Sequence, residues 1–281
     1  MSTAQRIRQP HFADNMWYSA NPTQLETDIQ TYLADPPTDT AKPIGLVAPH
    51  AGYFFSGHVA GASFGGLPPH SYETVILLGP DHRGAAIDQT STPNAATWRT
   101  PLGDIPVAWD IITEIRSQMK LTLLPTDDEH SLEVELPFLQ NALKQFNLVP
   151  LMMGDQSLPT CQKLSQAIIN ALTATHSTNS TLLVASSDFS HFFNNDAARK
   201  LDLETIQFIL NLDTPGLIRH VETGRAKRKP LACGSGPIAT VMLAAQALGA
   251  TQANLLKYAT SADVHPDKSR VVGYAALSFT R

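Results

Sequence analysis

Long apolar runs are missing from this 281-residue chain. No stretch approaches the roughly 18 consecutive apolar residues that span a bilayer, so a membrane role has no support. Cysteine is scarce: two residues, Cys161 and Cys233, exclude a disulfide framework. The polar start from Met1 to Pro10 is followed by no apolar export segment, and these absences together point to a reducing cytosol. Positive charge is sparse as well. The formal charge is -5 and the densest cationic run, Arg225 to Lys229, is short, so nucleic acid is not an expected partner.

What is present is an ordinary globular core, 43% apolar, and a length that suits one large α/β domain over residues 1–281. Alternating strand and helix patterns predict a central, largely parallel or mixed sheet covered by helices on both faces. The segment from Arg6 to Tyr18 has no clear period and is expected to lie across the surface. Asn21-Pro22 opens a helix with apolar positions Leu25, Ile29 and Leu33, Pro36-Pro37 ends it, and a polar linker, Thr38 to Lys42, follows.

Three strand exits carry histidine. The run Ile44 to Ala48 stops at Pro49 and delivers His50; Thr74 to Leu78 stops at Gly79-Pro80 and delivers His82; Thr181 to Ala185 leads through Ser186-Ser187-Asp188 to His191. One such histidine is ordinary loop chemistry. Ligands of open α/β sheets bind outside the carboxyl ends of the strands, so three at equivalent positions suggest one shared site.

Further along, Gly61-Ala62-Ser63-Phe64-Gly65 matches G-x-S-x-G without the strand-to-helix setting a nucleophile elbow needs. Gly84 to Val107 is long for a compact connection, which suggests short strands or a lid over the site. Trp109 to Met119 reads as a helix. Asp127 to Leu143 reads as a helix with an acidic start, a kink at Pro137 and an apolar face of Leu132, Leu136, Leu139 and Leu143. His130, at its start, either faces the site or caps the helix, and with Glu133 it is a candidate supporting pair for a ligating histidine. Val149 to Met153 reads as a strand, Cys161 to Leu172 and Asn194 to Leu212 as helices, and Ala253 to Ala259 and Val271 to Phe279 as strands. Cys233 lies in a glycine-rich turn before a helix over Ala239 to Leu248, where the helix dipole favours thiolate. His265 has no strand feeding it and is expected in solvent.

His50, His82 and Cys233 together offer two imidazoles and a thiolate, a set that suits iron, copper or zinc and not calcium or magnesium. Three protein ligands leave coordination positions open for catalysis. Asp188 and His191, three residues apart, read as an imidazole acid/base oriented by a carboxylate. Three functions use these parts: a metal-dependent oxidoreductase, a module whose pocket binds a small molecule or peptide, and metal-assisted hydrolysis with zinc.

Val47-Ala48-Pro49-His50-Ala51-Gly52-Tyr53, Leu78-Gly79-Pro80-Asp81-His82, Glu129-His130-Ser131-Leu132-Glu133, Ser186-Ser187-Asp188-Phe189-Ser190-His191 and Cys233-Gly234-Ser235-Gly236-Pro237-Ile238 resemble the Memo family, whose bacterial and archaeal members are called AmmeMemoRadiSam system protein B. Trp17-Tyr18 and Gly273-Tyr274-Ala275 fit as well. The resemblance implies a three-layer α/β/α sandwich similar to LigB-type class III extradiol dioxygenases, which bind non-haem iron through two histidines and a glutamate. It also implies that cysteine replaces the glutamate, giving His50, His82 and Cys233 as ligands of iron or copper, with Asp188 and His191 in the pocket and His191 as acid/base. A functional link to a radical-SAM protein is a further implication, as are the redox and phosphopeptide-related roles described for the eukaryotic relative.

Overall fold

The computed structural model describes residues 6–34 and 41–281. The first five residues, the Pro36-Pro37 helix stop and the linker at 38–40 lie outside the described residues. In chain order the elements are β1 (Ile7–Arg8), α1 (Pro22–Leu33), β2 (Gly45–Ala48), α2 (Tyr53–Phe64), β3 (Thr74–Pro80), β4 (Thr90–Pro93), β5 (Thr97–Thr100) and β6 (Gly103–Pro106). There follow α3 (Trp109–Gln118), β7 (Leu121–Leu124), α4 (His130–Glu133), α5 (Leu136–Leu143), β8 (Asn147–Met153), α6 (Leu158–Ala174), β9 (Thr181–Ser186) and β10 (His191–Phe193). The chain ends with α7 (Asn195–Leu210), α8 (Thr214–Ala226), α9 (Ser235–Ala247), β11 (Gln252–Thr260) and β12 (Val271–Thr280).

One mixed sheet runs in the order β10-β12-β2-β9-β3-β8-β4-β7, with β11 on the other side of β12's pairing. Its centre, β2-β9-β3-β8, is parallel. On its flanks β12 runs antiparallel to β2 and β11, and β4 antiparallel to β8, while the outermost pair β4-β7 is parallel; β11 returns to β12 through a short connection, as an antiparallel pair allows. Successive residues of each central strand face opposite layers. Leu46, Val75, Leu77 and Val184 pack toward α1, α2 and α5, whereas Val47, Ile76, Leu78 and Leu183 pack toward α3, α6, α8 and α9. Burial on both faces is why these strands read as unbroken apolar runs. Among the described residues, no helix is long and apolar enough to cross a membrane.

Several local expectations are corrected by packing. The segment from Arg6 to Tyr18 does not simply cross the surface: Arg8, Phe12 and Tyr18 are buried. Arg8 pairs with Asp127 and Glu133, and Glu133 also accepts from the backbone N–H of His11 and Phe12 and from Tyr18 Oη. Buried carboxylates anchor this strap, so it needs no apolar period. The kinked helix resolves into α4 and α5, with Pro137 in the first turn of α5, where its missing N–H costs nothing. Leu132, Leu136, Leu139 and Leu143 are all buried as that face requires. Ser63 lies inside α2 and donates to Val47 O, so G-x-S-x-G here is helix packing and no elbow.

The segment Gly84 to Val107 builds sheet. Strand β4 joins the main sheet beside β8, and β5 pairs with β1 on one side and β6 on the other in a small second sheet. Asp104 to Pro106 line a cleft of about 600 Å³ with Glu73 and Asn147. That cleft is at the amino end of β3 and β8, opposite to the end where His82 emerges.

Candidate metal centre

The order β2-β9-β3 sets three carboxyl strand ends side by side, and the loops after them carry His50, Asp188 and His82 into one crevice. Backbone bonds hold the loops together: Ser187 N donates to Ala48 O at 2.8 Å, and Cys233 N donates to Asp188 O at 3.1 Å. Helix α4 is seated on the end of β3 by Ser131 Oγ, which donates to Pro80 O at 3.0 Å. That contact brings in His130.

The imidazoles of His50, His82 and His130 present nitrogen atoms that all lie within 4.8 Å of one another. Their ring centroids are 5.2 Å apart for His50 and His82, 5.3 Å for His50 and His130, and 4.7 Å for the stacked pair His82 and His130. Each of the first two rings has its far nitrogen engaged. His50 Nδ1 is 2.7 Å from Ser186 Oγ, and His82 Nδ1 is 3.0 Å from Glu129 Oε1. Cys233 Sγ lies 3.3 Å from His50 Nε2. Phe12 and Trp17, from the amino-terminal strap, wall the far side of His130, with centroids at 5.7 and 4.5 Å.

Burial dominates the electrostatics. It holds His50 well below the ordinary histidine value, with the charges of His82, His130 and His191 adding to the effect. Burial likewise lowers His130 to about 4, although Glu129 opposes it. Both rings are neutral near neutral pH and have lone pairs to offer. Burial would raise Glu129, yet the hydrogen bond and charge of His82 and the N–H of Ser131 bring it down to about 2.

The structure places the remaining residues differently from their sequence reading. The Cys233 thiol is pushed up by burial and by the Asp188 carboxylate, so the helix dipole alone does not make it a thiolate; a bound cation would reverse that balance. Asp188 Oδ1 accepts from His50 N at 2.9 Å, and among the described residues no hydrogen bond joins Asp188 to His191. Asp188 therefore braces the His50 loop, and burial pushes its carboxyl up to about 7. His191 starts β10, packs edge-on against Phe192 at 5.7 Å and is lowered by burial, with His82 contributing. Its own N–H donates to Pro230 O. Glu133 supports the strap, and among the described residues no hydrogen bond joins it to a histidine ring of the crevice.

His130 faces the crevice, because Glu129 supplies the helix cap by accepting from Ser131 N. His265 is exposed and Cys161 is buried in α6, as their surroundings in the sequence suggest. Sequence reasoning missed Glu129, Ser186 and Glu135. Ser186 Oγ donates to Glu135 Oε1 at 2.9 Å, which links a second carboxyl to His50. A charged residue inside the apolar stretch Val134-Glu135-Leu136 was the available signal.

The donor set, two imidazoles with supported Nδ1 atoms, a third imidazole and a thiol, suits a transition metal. Comparison with known proteins agrees with the site's motifs. Residues 8–278 match the family model described as "Memo-like protein". A MEMO1 family protein of Methanopyrus kandleri is 38% identical over 98% of this chain and 99% of its own length. One from Methanosarcina acetivorans is 35% identical over 96% of this chain and 98% of its own. Among solved structures, an uncharacterized protein of Escherichia coli K12 superposes with a TM-score of 0.53 at 13% identity, covering 84% of this chain and 100% of that one, a likeness of fold alone. With nearly its whole length matched, the chain belongs to the Memo-like protein family.

Proposed function

We propose that this crevice holds iron or copper, with zinc less suited, through His50, His82 and Cys233, and that the protein is a metal-dependent oxidoreductase acting on a small molecule. The observation that carries the reading is the pair of engaged Nδ1 atoms. A ligating histidine commonly has its other ring nitrogen held by a carboxylate or another polar group, and Glu129 and Ser186 supply those partners. Iron or copper bound there would supply redox chemistry. His191, kept neutral by burial, is the residue to accept a proton from a substrate, and Asp188 holds the His50 loop in place. The resemblance to LigB-type dioxygenases supports the reaction class, and the two free cysteines support a cytoplasmic location. The functional link to a radical-SAM protein rests on the family alone.

The mutual approach of three imidazoles favours a second ligand set, in which His130 replaces Cys233. A non-catalytic pocket for a small molecule or peptide is the alternative function, supported by Phe54 and Phe192, 60% and 59% exposed, on elements that adjoin His50 and His191.

The test is elemental analysis of anaerobically purified, untagged protein beside His50→Ala. Stoichiometric iron or copper in the first and its loss in the second supports the centre; no metal in either, even after reconstitution, favours the binding pocket. With copper(II) added, a thiolate charge-transfer band that vanishes in Cys233→Ser and survives in His130→Ala supports the cysteine set; copper bound without that band, retained in Cys233→Ser and lost in His130→Ala, supports the histidine set.

A further inference from the structure

We propose that Glu135 is a positioning residue that acts through Ser186 to hold His50 as the tautomer with its proton on Nδ1. This rests on the reading that His50 offers Nε2 to a metal. Glu135 and Ser186 are fully buried, on α5's entry and at the end of β9, and neither touches the open crevice. A hydroxyl has one hydrogen. Ser186 Oγ spends it on Glu135 Oε1 at 2.9 Å, so toward His50 Nδ1, 2.7 Å away, it has only lone pairs to offer. With Glu135 ionised, Nδ1 is then the donor, and Nε2 keeps its lone pair on the crevice side.

The other end of the ring agrees. Cys233 Sγ stands 3.3 Å from Nε2 and 3.5 Å from Asp188 O, so a free lone pair on Nε2 is within reach of its S–H. This polarity belongs to the carboxylate form: Glu135 Oε2 has no hydrogen-bond partner among the described residues, so a proton gained by the acid finds an acceptor only from Oε1, where it would donate to Ser186 Oγ and turn the relay round. Burial, and with it the Asp188 carboxylate, raises the Glu135 carboxyl well above the usual carboxylate range, while the Ser186 hydrogen bond favours its ionised form. His82 receives the same service directly from Glu129; His50 receives it through a hydroxyl.

The experiment is long-range proton–nitrogen NMR of histidine-labelled, metal-free protein, with His50 assigned by its absence in His50→Ala. In the wild type the His50 proton is on Nδ1; in Glu135→Met and in Ser186→Ala it moves to Nε2 or divides between the two. Titration with iron(II) alone shows about a ten- to hundredfold loss of affinity in both variants, as for other outer partners of ligating histidines. A wild-type proton on Nε2, or one tautomer shared by all three proteins, overturns the proposal whether or not iron binds. The expected tautomer change in a wild type that binds no iron upholds Glu135 and removes the metal reading instead. Ser186→Ala keeps the question open to decision if Glu135→Met does not fold.

Discussion

Cys233 Sγ stands 3.3 Å from His50 Nε2, although 183 residues separate the two in the chain. Two donors that share one ion, at about 2.0–2.3 Å each, lie at this kind of separation. Bound iron or copper should fall by at least about tenfold in His50→Ala, His82→Ala and Cys233→Ser, because losing a ligand costs no less than losing its outer partner. Cys161→Ser and His265→Ala should match the wild type in mass-spectrometric metal analysis. Equal occupancy across the panel would remove the assignment.

Asp188 makes metal-free protein less stable as pH rises. Its folded-state pKa is raised by burial from 3.8 to about 7, so between those values the folded state binds more protons than the unfolded one. The cost is absent below 3.8 and complete above about 7. The Tm of the wild type minus that of Asp188→Asn should therefore grow as pH falls from about 7 to about 4 in the presence of chelator. A flat or opposite trend would show that the folded carboxyl is not held in its acid form.

The strands at the centre were legible because each is an apolar run cut by proline, glycine or serine, and the three histidines followed from those exits. Partners that act through single hydrogen bonds leave no period. Glu129 reads as helix-start acidity until the fold brings His82 to it, and Glu133 reads as a neighbour of His130 although its side chain turns to Arg8. Asp188 and His191 are close in sequence, yet β9's exit aims the carboxylate at His50 N. Helix α8 carries Leu217, Ile218 and Val221 at helical spacing, but its glycines and polar surroundings obscure that pattern. The antiparallel pairings of β12 with β2 and of β4 with β8 were hidden for a different reason: strand direction depends on how the chain returns, which apolar content does not record.

Glu133 fastens the amino-terminal strap. Four donors from that strap, the Arg8 guanidinium, the backbone N–H of His11 and Phe12 and Tyr18 Oη, end on one carboxylate that is fully buried. Glu133→Ala leaves the Arg8 charge buried with only Asp127 to compensate it, and removing one member of a buried pair costs about 3–5 kcal/mol. Denaturant unfolding should show that loss. Limited proteolysis should cut between residues 6 and 18 sooner than in the wild type, since Phe12 and Trp17 lose their anchorage over His130. Unchanged stability would mean that the strap is held by its aromatic contacts instead.

Gly79 sets how closely α4 sits on the end of β3. A Cβ at this position would meet Ser131 Oγ at 2.5 Å and Leu132 Cδ2 at 2.8 Å, so only glycine lets the helix approach. His130 is carried on that helix and His82 follows that strand, which makes the same contact the spacer between their stacked rings. Gly79→Ala should lower stability by about 1–3 kcal/mol and, by pushing α4 outward, weaken metal binding as well. Ser131→Ala removes the nearer obstacle, so the double variant should recover part of the stability lost in Gly79→Ala, a coupling that independent sites would not show. Leu132 remains in the way, which limits the recovery. Additive losses in the double-mutant cycle would place the strain of Gly79→Ala within β3 and leave the approach of α4 governed by Ser131 and Pro80 alone.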